Sequence, residues 1–318
     1  MSKFKDRQGS IKSIFCMLAC LVMLLSCETE FIPLNINTDP EIVVEGYIEQ
    51  GEGAIPPYLL LTNSKPFFTT LSPNQLDSLF IHNADVVITD GVNSVKLNEI
   101  CFNDLPPATK KLLAENLGIN PDSVKVNICA YIDLLGAIKP AENHSYSLKI
   151  NVNGKTVEAV TTIPPYVPLD SLWWREAPGK PSDTLLQLYS KIKDPNDQVN
   201  FYRFFCGINN GPLRTPFNSV FDDVLINGKD FEFRLIKPRE PGEEFDQKTF
   251  GLFHTGDSIS IKWACIDESH FNFWNTLEFN KSNQGPFSTY TTINSNIKGG
   301  LGIWGGYSSR IYKLKVKR

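Results

Sequence analysis

Leu24-Leu25-Ser26-Cys27 is the block whose chemistry can be named directly from its residues. A leucine three positions before a cysteine and a small serine just before it form a lipobox. The thiol takes a lipid, and the cysteine becomes the first residue of the mature chain. Lys3, Lys5, Arg7 and Lys12 precede an apolar run from Ile14 to Leu25. That run is about 12 residues, inside the ~7–15 of a signal-peptide core and short of the ~20 that span a bilayer. A plain signal peptide with an unmodified Cys27 is the weaker reading, because both positions flanking the cleavage site fit lipidation. The pattern gives an address and no ligand.

Catalytic patterns fail on context. Gly300-Leu301-Gly302-Ile303-Trp304-Gly305 matches G-x-G-x-x-G, but the dinucleotide motif needs a preceding strand, a following helix and a distant acidic residue, and β-like sequence follows instead. A glycine-rich turn or bulge is the structural reading. His82, His144, His254 and His270 are scattered, with no i, i+4 pair for zinc. Gly306-Tyr307-Ser308-Ser309 lacks the closing glycine of a nucleophile elbow. Asp194, Asp197, Asp222 and Asp223 do not follow calcium-loop order and read as turn formers. No catalytic residue, metal site or cofactor is therefore expected.

Cys16 and Cys20 leave with the signal, and four cysteines stay beyond Cys27. An even number past an export signal permits two disulfides; Cys101–Cys129 and Cys206–Cys265 are the favoured pairs, with four buried thiols as the alternative. Their spacings match no zinc pattern. Trp173-Trp174-Arg175 has the composition of a contact hot spot or a sugar-stacking platform. The competing reading is apolar packing between two domains.

Removing residues 1–26 takes away four of 31 basic groups and one of 35 acidic groups, leaving a net charge of −7. Nucleic acid is thus not an expected partner. The length beyond the signal suits two domains better than one core.

The elements that would position these residues are mainly strands. Ile42 to Ile48, Tyr58 to Thr62 and Ala84 to Thr89 read as β, and Val95 to Asn98 pairs back across Asp90-Gly91. Ser145 to Val152 alternates in period two, and Asn153-Gly154 turns it into Thr156 to Thr162. Residues 101–129 form a helical insertion, with Pro106-Pro107 opening a helix over Ala108 to Leu117. Ile163 to Pro168 holds three prolines and marks a boundary. Beyond it Leu185 to Ile192, Phe201 to Cys206 and Ser258 to Cys265 are strands, Asp223 to Ile226 and Phe231 to Leu235 a hairpin, and Leu301 to Val316 a final strand. Glu268 to Phe279 is a helix with Asp267 as its cap. The expected architecture is mainly β: two β-sandwich or barrel-like domains, with a short helical insertion in the first and one helix in the second. The divisions are a signal peptide over 1–26, a lipidated tether over 27–40, an immunoglobulin-like sandwich over 41–165 and a β-rich domain over 169–318.

Gly285-Pro286-Phe287 and the block from Ile293 to Tyr307 resemble the C-terminal signature of domain of unknown function 4249, a lipoprotein family of Bacteroidota. Val43 to Ile48, Asn83 to Val86, Ile163-Pro164 through Leu172, and Phe201 to Phe204 are similar to other family blocks in the same order. Gly285 and Trp304 depart from the usual Asn and Phe. The resemblance implies an outer-membrane lipoprotein often encoded beside a TonB-dependent receptor, with no catalytic residues to carry over. It also implies cell-surface export, which Glu28 and Glu30 behind the anchor suit. Finally, it implies O-glycosylation at Asp-Ser/Thr-aliphatic triplets, here at Ser78, Ser123, Ser171, Thr184 and Ser258. Chance would give on the order of one such triplet.

The function expected is a lipid-anchored, non-enzymatic accessory or ligand-binding partner of a TonB-dependent nutrient receptor, held in the bilayer by its acyl chains. A structural or adhesive surface sandwich and a hydrolase with an unrecognised site are the alternatives.

Overall fold

Period-two alternation lays down the clearest hairpin. In β7 (His144–Val152) and β8 (Lys155–Ile163) every second side chain is buried. Asn153 and Gly154 join them with φ of 51° and 74°, the two positive values a type I′ turn requires. The computed structural model describes residues 39–65, 72–111, 126–179, 182–195, 198–282 and 292–318. The expected signal peptide, Cys27, most of the expected tether, Ser123, Asp197 and Gly285-Pro286-Phe287 lie outside them.

The protein is mainly β, as expected, with three sheets among the described residues. β1 (Ile42–Gly51), β2 (Tyr58–Asn63), β5 (Asn98–Cys101), β6 (Cys129–Ile132), β11 (Phe201–Ile208), β12 (Val220–Asp222), β15 (Ser258–Ile266) and β16 (Leu301–Lys315) form one eight-stranded sheet. Its order is β12-β11-β15-β16-β1-β2-β6-β5. β7 and β8 join β3 (Asp85–Thr89) and β4 (Ser94–Lys96) in a second sheet. β9 (Leu169–Glu176), β10 (Leu185–Lys193), β13 (Asp230–Leu235) and β14 (Phe253–His254) make the third.

Two apolar cores lie on one face of the large sheet. Val44, Ile48, Leu59, Leu61 and Trp304 meet Val86, Leu148, Ile150 and Val157 of the second sheet in one. Tyr202, Phe204, Ile261 and Trp263 meet Leu186, Leu188, Leu235 and Phe253 of the third in the other. The cores follow the boundary at Ile163–Pro168 except that Ile297 and Trp304 enter the first, and the sheet beneath them crosses it. β16 pairs in parallel with β1 and antiparallel with β15, so the last strand joins both halves. Helix α1 (Glu268–Ser282) covers the opposite face, where Phe271 packs with Tyr47, Ile303 and Tyr307. Asp267 caps α1 by accepting the His270 N–H at 2.7 Å, as its sequence position predicts. No helix among the described residues is long and apolar enough to cross a membrane.

The structure corrects two expectations. Asp223 to Ile226 is not a strand: it folds into turns, with Ile226 N–H bonded to the Asp223 carbonyl at 2.7 Å, and β12 and β13 belong to different sheets. Cys206 and Cys265 are free and buried. Cys206 pairs with Ile261 and Cys265 with Tyr202, four ladder positions away. At ~3.3 Å per residue that separation far exceeds the ~7 Å limit between bridged Cα atoms. Cys101–Cys129 is a disulfide between facing residues of β5 and β6. Within the insertion it closes, Phe102–Asp104 is a 3₁₀ turn and residues 107–111 are helical; 112–125 fall outside the described residues.

Candidate functional site

Strand alternation decides what the Trp173-Trp174-Arg175 run does, since neighbours on β9 point to opposite faces. Trp174 turns inward. It packs on the core, meets Phe253 edge-on at 5.6 Å, and donates its indole N–H to the Lys315 carbonyl at 3.1 Å. Trp173 and Arg175 turn outward. Trp173 pairs with Tyr189 across the ladder, the rings 6.0 Å apart and 28° from parallel. The Arg175 guanidinium lies 4.2 Å from the Tyr189 centroid and 5.3 Å from that of Trp173. Glu232 accepts from Arg175 at 2.9 Å, and the Arg175 side chain keeps 47% of its exposure. A planar cation on two half-buried rings gives a stiff platform with π faces and directed donors. Of the three residues, the structure assigns Trp174 to packing and the other two to the surface.

A second polar constellation, which sequence reasoning missed, sits between the large sheet and α1. Glu49 accepts from Lys262 at 2.8 Å, from Tyr307 at 3.0 Å and from Ser309. Arg203 lies 3.7 Å from the Trp274 ring centroid and donates through Nε to Ser219, which in turn bonds Glu278. Burial pulls the Arg203 pKa down, with Tyr47, Glu278 and Tyr307 opposing it. His270 is 1% exposed, and neither ring nitrogen has a well-formed hydrogen bond. Burial, then the Arg203 charge, pushes its pKa to about 3, so the ring is neutral. These groups are closed off from solvent; Glu49, Lys262, Tyr307 and Ser309 satisfy one another, while the His270 ring and the Trp274 indole N–H go without a well-formed partner. The only sequence signal for them was charged and aromatic residues at alternate strand positions.

Of the aspartates read as turn formers, Asp194 and Asp223 are buried and Asp222 is exposed. Asp223 is fully buried, with both oxygens taking the Asn200 N–H at 3.0 Å. Asp194 accepts from Tyr202 at 2.8 Å and from Gly228 N–H at 2.9 Å. Burial, then a hydrogen bond shared with Asp194, raises the Asp223 pKa to about 6. A cleft of about 210 Å³ lies nearby, lined by Thr162, Asn200, Phe201, Asp267 and others. Asp267 is already committed to capping α1 and to Thr161 and Thr162. Trp263 is fully buried.

The G-x-G-x-x-G match is strand. Gly302 has φ of 111°, and an added Cβ would fall 1.9 Å from the Val44 carbonyl oxygen. Only glycine lets β16 approach β1 there. Ser78, Ser171, Thr184 and Ser258 are exposed.

The fold and surface define a mainly β protein of two sandwiches sharing one sheet, with an aromatic–cationic platform on an outer face. The chain belongs to the family described as domain of unknown function (DUF4249), whose model matches residues 28–312. No curated protein and no solved structure matches it.

Proposed function

We propose that the protein is an outer-membrane lipoprotein anchored through Cys27, facing the cell exterior, and that it serves as a non-enzymatic binding partner of a TonB-dependent nutrient receptor. The observation that carries a binding role is the outward stack of Trp173, Tyr189 and Arg175. Aromatic rings and arginine supply most contact energy at protein interfaces, and here they are pre-ordered by a ladder. The lipobox and acidic tether support the location, and family membership is consistent with it.

The test is affinity capture of the lipidated protein from detergent-solubilised outer membranes, comparing the parent with a Trp173→Ala/Arg175→Ala variant. The parent is expected to recover a TonB-dependent receptor and the variant to lose it, with unchanged circular dichroism. Recovery of no such receptor by the parent would sink the reading. Equal recovery by both proteins would move the contact away from the platform.

A further inference from the structure

Two sulfurs, an imidazole and a carboxylate meet at the edge of the large sheet. Glu99 and Cys101 share one face of β5, being two residues apart, and Cys129 faces Cys101 from β6. His82 arrives from the loop before β3, its Nδ1 2.5 Å from Glu99 Oε1. Cys101 Sγ lies 3.9 Å from the same oxygen. One ligand atom from each of the four residues lies within 4.8 Å of all the others. With bonds of ~2.0–2.3 Å, a tetrahedral site needs ligand separations of ~3.3–3.8 Å. The Cys101–Glu99 distance of 3.9 Å is near that, while the bonded sulfurs and the 2.5 Å His82–Glu99 contact have to open to admit an ion.

The surroundings hold the ligands as an outer shell does. Glu99 Oε2 accepts the Asn83 N–H at 2.8 Å and lies 3.4 Å from the Tyr131 hydroxyl, which leaves Oε1 turned toward His82 and the sulfurs. Tyr131 is itself fixed, donating to the Ile81 carbonyl and accepting the Ala84 N–H, both at 2.9 Å. Asn83 sits at φ 57°, which aims its N–H at the carboxylate. The His82 side chain is 48% exposed and provides an entry path.

We propose that, when the Cys101–Cys129 disulfide is reduced, His82, Glu99, Cys101 and Cys129 bind one zinc-type divalent cation. A set of two thiolates, one imidazole and one carboxylate suits a borderline-soft ion and disfavours calcium or magnesium. A dithiol reductant gives two electrons and two protons to the S–S bond and closes to its own disulfide. The two new thiols then release their protons to solvent as the metal–sulfur bonds form, and the metal keeps its oxidation state. The disulfide and the metal are thus alternative clips across residues 101 and 129.

The experiment uses the purified, detergent-extracted full chain, reduced with dithiothreitol that is then removed without air, and zinc as the probe. Competition with a chromophoric chelator and native mass spectrometry should give one zinc per reduced chain and none per oxidised chain. His82→Ala and Glu99→Gln should each weaken binding by more than roughly tenfold. Cobalt(II) in place of zinc should show a thiolate-to-metal charge-transfer band that Cys101→Ser weakens and Cys101→Ser/Cys129→Ser removes. Should Cys101→Ser fail to fold, the exposed His82→Ala variant decides alone. Reduced parent holding no zinc, or His82→Ala binding as tightly as the parent, would overturn the proposal.

Discussion

His270 and Asp223 pull the folded state in opposite directions as pH changes. The His270 pKa falls to about 3, below its unfolded value, so its stabilising effect is present above ~6.5 and is lost as pH drops toward 3. The Asp223 pKa rises to about 6, so its effect is full below ~3.8 and is lost as pH rises through 6. Each unit of pH within a window is worth ~1.4 kcal/mol, and between about pH 4 and 6 the two effects largely offset. Removing either group should expose the other. From pH 6 to 4.5, relative to the parent, the urea midpoint of His270→Leu should rise and that of Asp223→Asn should fall. Parallel profiles for all three proteins would refute this. The free cysteines are a second residue-scale case. Burial raises the pKa of Cys206 and Cys265 to about 12. A thiol reagent should therefore find no thiols in the native mature chain, two after unfolding without reductant, and four once the disulfide is reduced. Rapid labelling of the native chain would contradict the burial.

Among the elements, those whose signal is local were legible in the sequence. β7 and β8 alternate strictly around Asn153-Gly154, and Asp267 stands one residue before α1. Elements set by distant partners were not. Asp223 to Ile226 is apolar enough to pass for a strand, yet Leu225 is 89% exposed while Asp223 is buried, because the Asn200 N–H needed an acceptor. The Trp173–Arg175 run was legible in composition, but which tryptophan faces out depended on the phase of β9. The Cys206–Cys265 pairing failed because register has no trace in the spacing of two cysteines. The glycine block reads as a turn or bulge and Leu301 to Val316 as a strand, but nothing local says that this strand will lie parallel against β1. Its strictest position is Gly302, and Gly302→Ala should cost about 3 kcal/mol or more, or prevent folding, through both φ and the Val44 carbonyl. A thermal melt within 2 °C of the parent, an interval of roughly 1 kcal/mol, would rule this out.

For the whole molecule, two cores and one shared sheet explain why chain length suggests two domains while contacts bind Asp39–Arg318 into one compact unit. The proposed location has a direct mass test. The mature protein should exceed its polypeptide mass by a diacyl lipid at Cys27 and by glycan on at least one of Ser78, Ser123, Ser171, Thr184 or Ser258. A mass equal to lipid plus polypeptide removes the glycan, and a mass without lipid removes the anchor. The central pairing of β1 with β16 carries a consequence for biogenesis. Contacts such as Tyr307 to Glu49 span 258 residues, so until the chain past Leu301 has emerged, β1 and β15 remain unjoined edges. Long-range parallel pairing is slow to form. For the export proposed above, this pairing is a built-in delay: the polypeptide would stay threadable during translocation and lock only when β16 arrives.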